Sequence, residues 1–267
     1  MTPVFVLSAG RTGTVFLTQT LPAHVAGLHT VHEPPGSRSL LMLANAGALV
    51  GRGSAWLADR LHEGIQRRRN ACPDGARYVE INPMLCPLAE ELLDVASPLT
   101  LIHMVRHPVS WTRSIRAFRA SGWRRPLIDA VPFANPAPVP RPPGWLGLDP
   151  VQQALWRWRA CNESIEAVLP RAQRHLRVRY EDLFLAAPSV REATLLQLLD
   201  ALEVHAPDDL TPLLAAPRAN PAPRTAPVDV PALAVERIAG PLLDRYGYRA
   251  VHTESRNSGT PRGTVRT

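Results

Sequence analysis

The sequence predicts an α/β fold of three layers, with a central, mostly parallel sheet flanked by helices. Three observations carry this. Short apolar segments rich in β-branched residues alternate with helical patterns along most of the 267 residues, the order that builds parallel sheets with right-handed crossovers. The segment Leu99 to Val105 is apolar without alternation, as a strand buried on both faces would be. The chain also opens with a short apolar strand, a glycine-bearing turn and a helical pattern.

The first strand is Thr2 to Ser8, and Val15 to Leu21 reads as the helix after the turn. Leu28 to Glu33 is the second strand, stopped by Pro34-Pro35-Gly36. Ser37 to Val50 and Ala55 to Arg69 are helical in pattern. Arg77 to Asn82 is the third strand, ended by Pro83, and Leu88 to Val95 a short helix. Leu99 to Val105 is the most apolar strand and is expected at the centre of the sheet. Pro108 is placed to open a helix running to about Gly122. Asp149 caps a long helix over Val151 to Leu169, Leu176 to Tyr180 is the fifth strand, and helices follow over Val190 to Leu202 and Leu233 to Tyr246. Residues 1–250 are expected to form one domain with Pro-rich loops at about 124–147 and 206–231, and 251–267 a disordered polar tail.

Composition narrows the partners. The net charge of +7 invites a nucleic-acid reading, but all 30 basic residues are arginine and none is lysine. With 28 prolines and abundant alanine, this is the compositional drift of a GC-rich genome. No basic motif interleaved with aromatics is present, so no nucleic acid is expected, although the positive field favours an anionic ligand. There is no apolar run of about 20 residues, hence no membrane span. The first residues lead straight into a strand without a basic leader, which predicts a cytoplasmic protein. Cys72, Cys86 and Cys161 are odd in number and lack the C-x-x-C spacing, so reduced thiols are expected, and neither zinc nor a disulfide framework.

The turn after the first strand, Ala9-Gly10-Arg11-Thr12-Gly13-Thr14, has the make-up of an anion loop. Backbone N–H groups there can face a phosphate, with Gly10 and Gly13 permitting close approach. Arg11, Thr12 and Thr14 add side-chain donors. The ATP/GTP pattern G-x-x-x-x-G-K-[ST] is absent. In a parallel sheet, ligands bind beyond the carboxyl ends of the strands. Those ends deliver Arg11, Glu33, Asn82, Arg106 and Tyr180. A second constellation, Arg106 to Ser114, places an arginine at a strand end and a serine two turns into the next helix. Arg106 and Ser114 together suit a second phosphate. Two anion grips suggest a nucleotide with phosphates at both ends of its ribose.

With these residues in view, the sequence resembles the sulfotransferases that use 3′-phosphoadenosine 5′-phosphosulfate (PAPS), a family with a P-loop-like fold. Phe5 to Leu17, FVLSAGRTGTVFL, resembles their 5′-phosphosulfate loop, and Met104 to Ile115, MVRHPVSWTRSI, their 3′-phosphate motif. Val178 to Leu183, VRYEDL, is similar to a segment whose tyrosine contacts adenine, and Asp244 to Tyr248, DRYGY, to the family's closing L-G-Y. The matches run in order from residue 4 to 248.

The resemblance implies PAPS as co-substrate, with no metal. Gly10, Arg11, Thr12, Gly13, Thr14 and Val15 would cradle its 5′ end, Arg106 and Ser114 its 3′-phosphate, and Tyr180 the adenine. Arg11 stands where the family bridges toward the transferring sulfuryl group, and arginine there is similar to the bacterial and protein-tyrosine branches. Glu33, 22 residues after Arg11 (33 − 11), is close to the place of the protein-tyrosine branch's carboxylate base, and its neighbour His32 is the alternative. The acceptor would be a small molecule or glycan-like, at a hydroxyl or amine, and a homodimer is compatible with the fold. Three features depart from the family: the R-K-G loop of the cytosolic branch is missing, Val15 follows Thr14 where Thr-Thr is common, and His107 replaces an Asp.

Other readings of the same residues stay open. Glu33 could cap the helix starting near Ser37, Tyr180 could be core, and His103, inside an apolar strand, suits a hydrogen-bonded core histidine. Trp123 and Trp145 bracket the first Pro-rich loop as acceptor-site candidates. A nucleotide kinase or NTPase-like enzyme would need a lysine before Thr14, and a non-catalytic nucleotide-binding protein would carry the same anion grips.

Overall fold

The computed structural model describes residues 1–51, 55–119, 131–134, 137–216 and 228–249. Trp123, the tail at 251–267 and parts of both Pro-rich stretches lie outside the described residues.

Five strands form one sheet, all pairs parallel: β1 (Val4–Ser8), β2 (Leu28–His32), β3 (Arg77–Ile81), β4 (Thr100–Val105) and β5 (Arg174–Arg179), in the order β2-β3-β1-β4-β5. The central strand is therefore β1, and the Leu99–Val105 segment predicted for that place stands one step to its side. Loss of alternation marks burial on both faces, and that condition is shared. Every residue of β1, β3 and β4 is buried.

Side chains of odd and even number go to opposite faces. Phe5, Leu7, Leu101 and Val105 enter one core with Trp111 and Trp158. Val4, Val6, Val79, Ile81, Ile102, Met104 and Val178 enter the other. Helices cover both faces, giving the three layers predicted.

Among the described residues, the α-helices in chain order are α1 (Leu21–His24), α2 (Ser37–Leu49), α3 (Ala55–Asn70), α4 (Ala89–Ala96), α5 (Pro108–Arg119), α6 (Pro150–Val168), α7 (Tyr180–Phe184), α8 (Pro188–Ala201), α9 (Thr211–Ala215) and α10 (Ala232–Arg245). A π-helical turn, Phe16–Thr20, precedes α1, where the sequence predicted a regular helix. Such turns interrupt the i→i−4 ladder and concentrate at functional sites. Asp149 caps α6 as expected, its carboxylate accepting from Val151 N and Gln152 N while Gln152 reaches back to complete a capping box.

The helix patterns match within a residue or two at most ends. Tyr180–Phe184 is the exception: Tyr180 ends no strand but opens α7.

Buried polar groups tie the layers together. His103 in β4 has Nδ1 2.9 Å from Glu166 Oε1 and Nε2 2.8 Å from Asn162 Oδ1, both on α6. This is the hydrogen-bonded core histidine expected from the sequence. Glu166 also takes two hydrogen bonds from Arg177 of β5, at 2.8 and 2.7 Å. On β3, the fully buried Glu80 accepts from Arg68, Tyr78 and Asn82.

The chain leaves β1 toward β2 and leaves β4 toward β5, on opposite sides of the sheet. The carboxyl ends of β1 and β4 thus open a crevice at the point where the winding reverses. Cys72, Cys86 and Cys161 are free thiols. Among the described residues, no helix is long and apolar enough to cross a membrane.

Candidate functional site

The loop leaving β1 is bent by positive φ at Gly10 (81°), Arg11 (57°) and Gly13 (93°). The glycine at 13 is required twice. Its φ is strained for any L side chain, and a Cβ there would lie 2.5 Å from Phe184 Cε2. Arg11 takes a left-handed conformation without being glycine. Strain of this kind persists only when surroundings fix the residue, and it clusters at binding sites.

Two arginines converge on the crevice. Arg106, at the end of β4, donates from Nη1 to the carbonyl of Arg11 at 3.1 Å and from Nε to Ser110 Oγ at 3.1 Å. Its guanidinium lies 4.2 Å from the Tyr180 ring centroid, a cation–π contact that holds it flat. Arg11 Nε donates to Ser114 Oγ at 3.3 Å, and its guanidinium stacks 4.8 Å from the exposed Phe118 ring. Burial and the charge of Arg106 push Arg11 below its ordinary pKa, with Tyr180 opposing. Two like charges held this close form a site that an anion would relieve.

Thr12 is 1% exposed and its Oγ1 has no hydrogen-bond partner among the described residues. A buried hydroxyl in this glycine-bent loop, without a partner among the described residues, fits a loop that completes its bonding with a ligand oxygen. Thr14, also buried, has Oγ1 3.3 Å from His32 Nε2. His32 is thereby brought from the end of β2 to the loop. Glu33 follows it, exposed, with φ of 40° and its N–H donating to Ile81 O at 3.1 Å.

The second motif is braced from α7. Glu181 accepts from His107 N at 3.0 Å and from the Tyr248 hydroxyl at 2.8 Å. Arg179 grips Asp182 at 2.6 and 2.7 Å and donates to the Tyr246 and Gly247 carbonyls. The VRYEDL and DRYGY segments thus clamp the loop after β4. Tyr180 is 7% exposed, lying under Arg106 and beside Phe184.

The structure thus brings Arg11, Thr12, Gly13, Thr14, His32, Arg106, Ser114 and Tyr180 to one edge. Within the chain, Ser114 meets Arg11 and Ser110 meets Arg106. Asn82 caps the turn at Pro83–Leu88, its carboxamide accepting from Met84 N and donating to Ser37 and Glu80. Trp145 is a buried residue packed edge-on against Trp156 at 5.1 Å, so it is no open acceptor wall.

Sequence reasoning missed Arg157 and Trp111, which reach the loop's carbonyls from α6 and α5. A signal existed for the first: an arginine set between two tryptophans, Trp156 and Trp158.

Among the described residues, no group of three or more His, Cys, Asp or Glu side chains could hold a metal ion.

The fold and this edge define an α/β protein with an arginine-bearing, glycine-bent loop at the crevice of a parallel sheet. Its backbone is similar to that of sulfotransferases. The sulfotransferase domain from the Synechococcus PCC 7002 olefin synthase matches with a TM-score of 0.52 at 18% identity, over 91% of this chain and 94% of that one. Sulfotransferase STF9 from Mycobacterium avium matches with a TM-score of 0.54 at 15% identity, over 91% of this chain and 76% of that one. No protein-family model and no curated protein matches the sequence.

Proposed function

We propose that this chain is a PAPS-dependent sulfotransferase, transferring a sulfuryl group to a hydroxyl or amine of a small-molecule or glycan-like acceptor. The observation that carries the reading is the convergence of Arg11 and Arg106 on one loop, each also engaging a serine of α5. The sulfotransferase fold supports it.

PAPS supplies an activated sulfuryl group on a phosphate leaving group. The chain's part is positioning and charge neutralisation, as in phosphoryl transfer. Thr12, Thr14 and the loop N–H groups would hold the 5′ end, and Gly10, Gly13 and Val15 shape that cradle. Arg11 would neutralise charge developing on the transferring group and leaving oxygen. Arg106 and Ser114 would hold the 3′-phosphate, with Tyr180 beneath Arg106 at the adenine end. His32 or Glu33 would take the acceptor's proton. His32 already contacts Thr14, which places it on the loop side. A metal-free reaction in the cytoplasm belongs to the same proposal, since arginines fill the charge-neutralising role.

Thermal shift with adenosine 3′,5′-bisphosphate, AMP, ATP and GTP tests the reading, followed by sulfuryl transfer from PAPS. Stabilisation by the bisphosphate above the other three is expected. Stabilisation by ATP or GTP alone would replace it with the kinase or NTPase reading.

A further inference from the structure

Four successive carbonyls at the end of β1 each accept a hydrogen bond from a side chain of a distant segment. Cys86 Sγ lies 2.9 Å from Ser8 O, Arg157 Nη2 3.3 Å from Ala9 O, Trp111 Nε1 2.6 Å from Gly10 O, and Arg106 Nη1 3.1 Å from Arg11 O. The donors come from the turn after β3, from α6, from α5 and from the end of β4. Cys86 and Trp111 are fully buried, and Arg157 is 6% exposed.

A trans peptide is planar, and its C=O and N–H point in opposite directions. Fixing the Gly10 carbonyl therefore aims the Arg11 N–H, and fixing the Arg11 carbonyl aims the Thr12 N–H. The Gly10 N–H is already spent on Ser8 Oγ at 3.1 Å. The next two amides are thus turned away from the helices that hold the carbonyls. Arg157 adds a buried positive charge below the loop, Nη2 standing 4.0 Å from where a Cβ on Gly10 would be. Its guanidinium also packs 5.7 Å from the Trp111 ring, so the two donors brace each other.

We infer that Trp111 and Arg157 are positioning residues for the 5′ anion site. They set the direction of the Arg11 and Thr12 amides and the left-handed turn at Arg11 without touching the ligand. The inference rests on reading this loop as the 5′ side of a nucleotide site.

The test compares adenosine 3′,5′-bisphosphate with adenosine 3′-monophosphate, which lacks the 5′ group. Calorimetry on Trp111→Phe and on Arg157→Met should show affinity for the bisphosphate falling about tenfold or more, the loss of one hydrogen bond to a charged network. Affinity for the 3′-monophosphate should fall by a clearly smaller factor, passed on only through the Arg11 contacts with Ser114 and Arg106. Arg157→Lys, which keeps the charge and a donor, should recover part of the loss. Equal losses for both nucleotides, or none, would overturn the inference in favour of a general packing role.

A second measurement needs no variant. Amide resonances of Arg11 and Thr12 in the unmutated protein should shift on adding the bisphosphate or inorganic phosphate. Bisphosphate binding that leaves both amides unmoved overturns the positioning role while the donor reading stands. Amide shifts with phosphate but no preference for the bisphosphate over AMP would sink the PAPS reading and leave the positioning role intact.

Discussion

Arg11 Nε and Ser114 Oγ are hydrogen-bonded at 3.3 Å across 103 residues of sequence. The loop after β1 and the helix after β4 therefore share a side-chain contact at the crevice, and Arg106 adds a second through the Arg11 carbonyl. The loop after β1 and the start of α5 are thus joined through Arg11, so a change in one should be felt, more weakly, in the other.

Arg106→Ala removes a guanidinium that would meet the 3′-phosphate and also frees the Arg11 carbonyl. Preference for adenosine 3′,5′-bisphosphate over AMP should fall by on the order of 1.5–3 kcal/mol, the range for hydrogen bonds to charged groups. Affinity for AMP should drop as well, by a smaller amount, because the 5′ loop loses one of its anchors. Titration calorimetry with both nucleotides decides. An unchanged preference would remove Arg106 from the 3′ site.

Gly13→Ala should destabilise the fold by about 1–3 kcal/mol, from the positive φ and the overlap with Phe184 together. Adding Phe184→Ala should relieve the overlap and leave the φ penalty, so the double variant should cost less than the two single costs summed. Urea unfolding of all four proteins measures this. Strict additivity would show that the Phe184 contact is not what excludes a side chain at 13.

Much of this architecture was legible in the sequence. Short β-branched apolar runs bounded by Gly and Pro, and helical patterns of period 3.6, are local properties, and five strands and the capped helix at Asp149 follow from them. The bent turn after β1 was legible because glycine spacing reports backbone conformation directly, and Gly10 and Gly13 both have positive φ. What stayed hidden depends on contacts between distant residues. Nothing in the Trp111 neighbourhood announces that its indole will reach Gly10 O, 101 residues away. The pairing of Ser114 with Arg11 was likewise invisible, since helical spacing places the serine on a face without saying which arginine faces it. The central place expected for Leu99–Val105 went to β1 because hydrophobicity reports burial, and three strands are equally buried.

Acid should weaken the protein through Glu166. Burial pushes its carboxyl up, but hydrogen bonds and charge from His103 and Arg177 outweigh this and hold it at about 2; Arg245 adds a contact at 3.6 Å. The folded-state value is below the unfolded one, so the stabilisation is full above about 4.5 and is lost as pH falls toward 2. Glu166→Gln should lower stability at pH 7 and flatten the decline below about pH 4.5, as read by denaturant unfolding at several pH values. A variant whose acid limb is as steep as the parent's would assign the loss to other carboxylates.

The proton acceptor can be located through backbone strain. Glu33 sits at φ of 40° at the end of an edge strand, exposed, beside a histidine that touches the loop. A left-handed residue other than glycine costs about 1–2 kcal/mol, and such strain persists when the surroundings fix the residue and clusters at functional sites. Glu33→Gly relieves the strain but adds chain entropy of about 0.5–1 kcal/mol, so stability should change little. Turnover should fall by roughly 10²–10⁴ if the carboxylate is the base. Glu33→Gln, which keeps the shape, should show the same loss with affinity for adenosine 3′,5′-bisphosphate nearly unchanged. A capping role predicts the reverse pattern, a less stable protein with turnover intact. His32→Asn is the matched variant: if it carries the turnover defect while both Glu33 variants stay active, the imidazole beside Thr14 is the base, and the strain at 33 serves to turn the chain away from it.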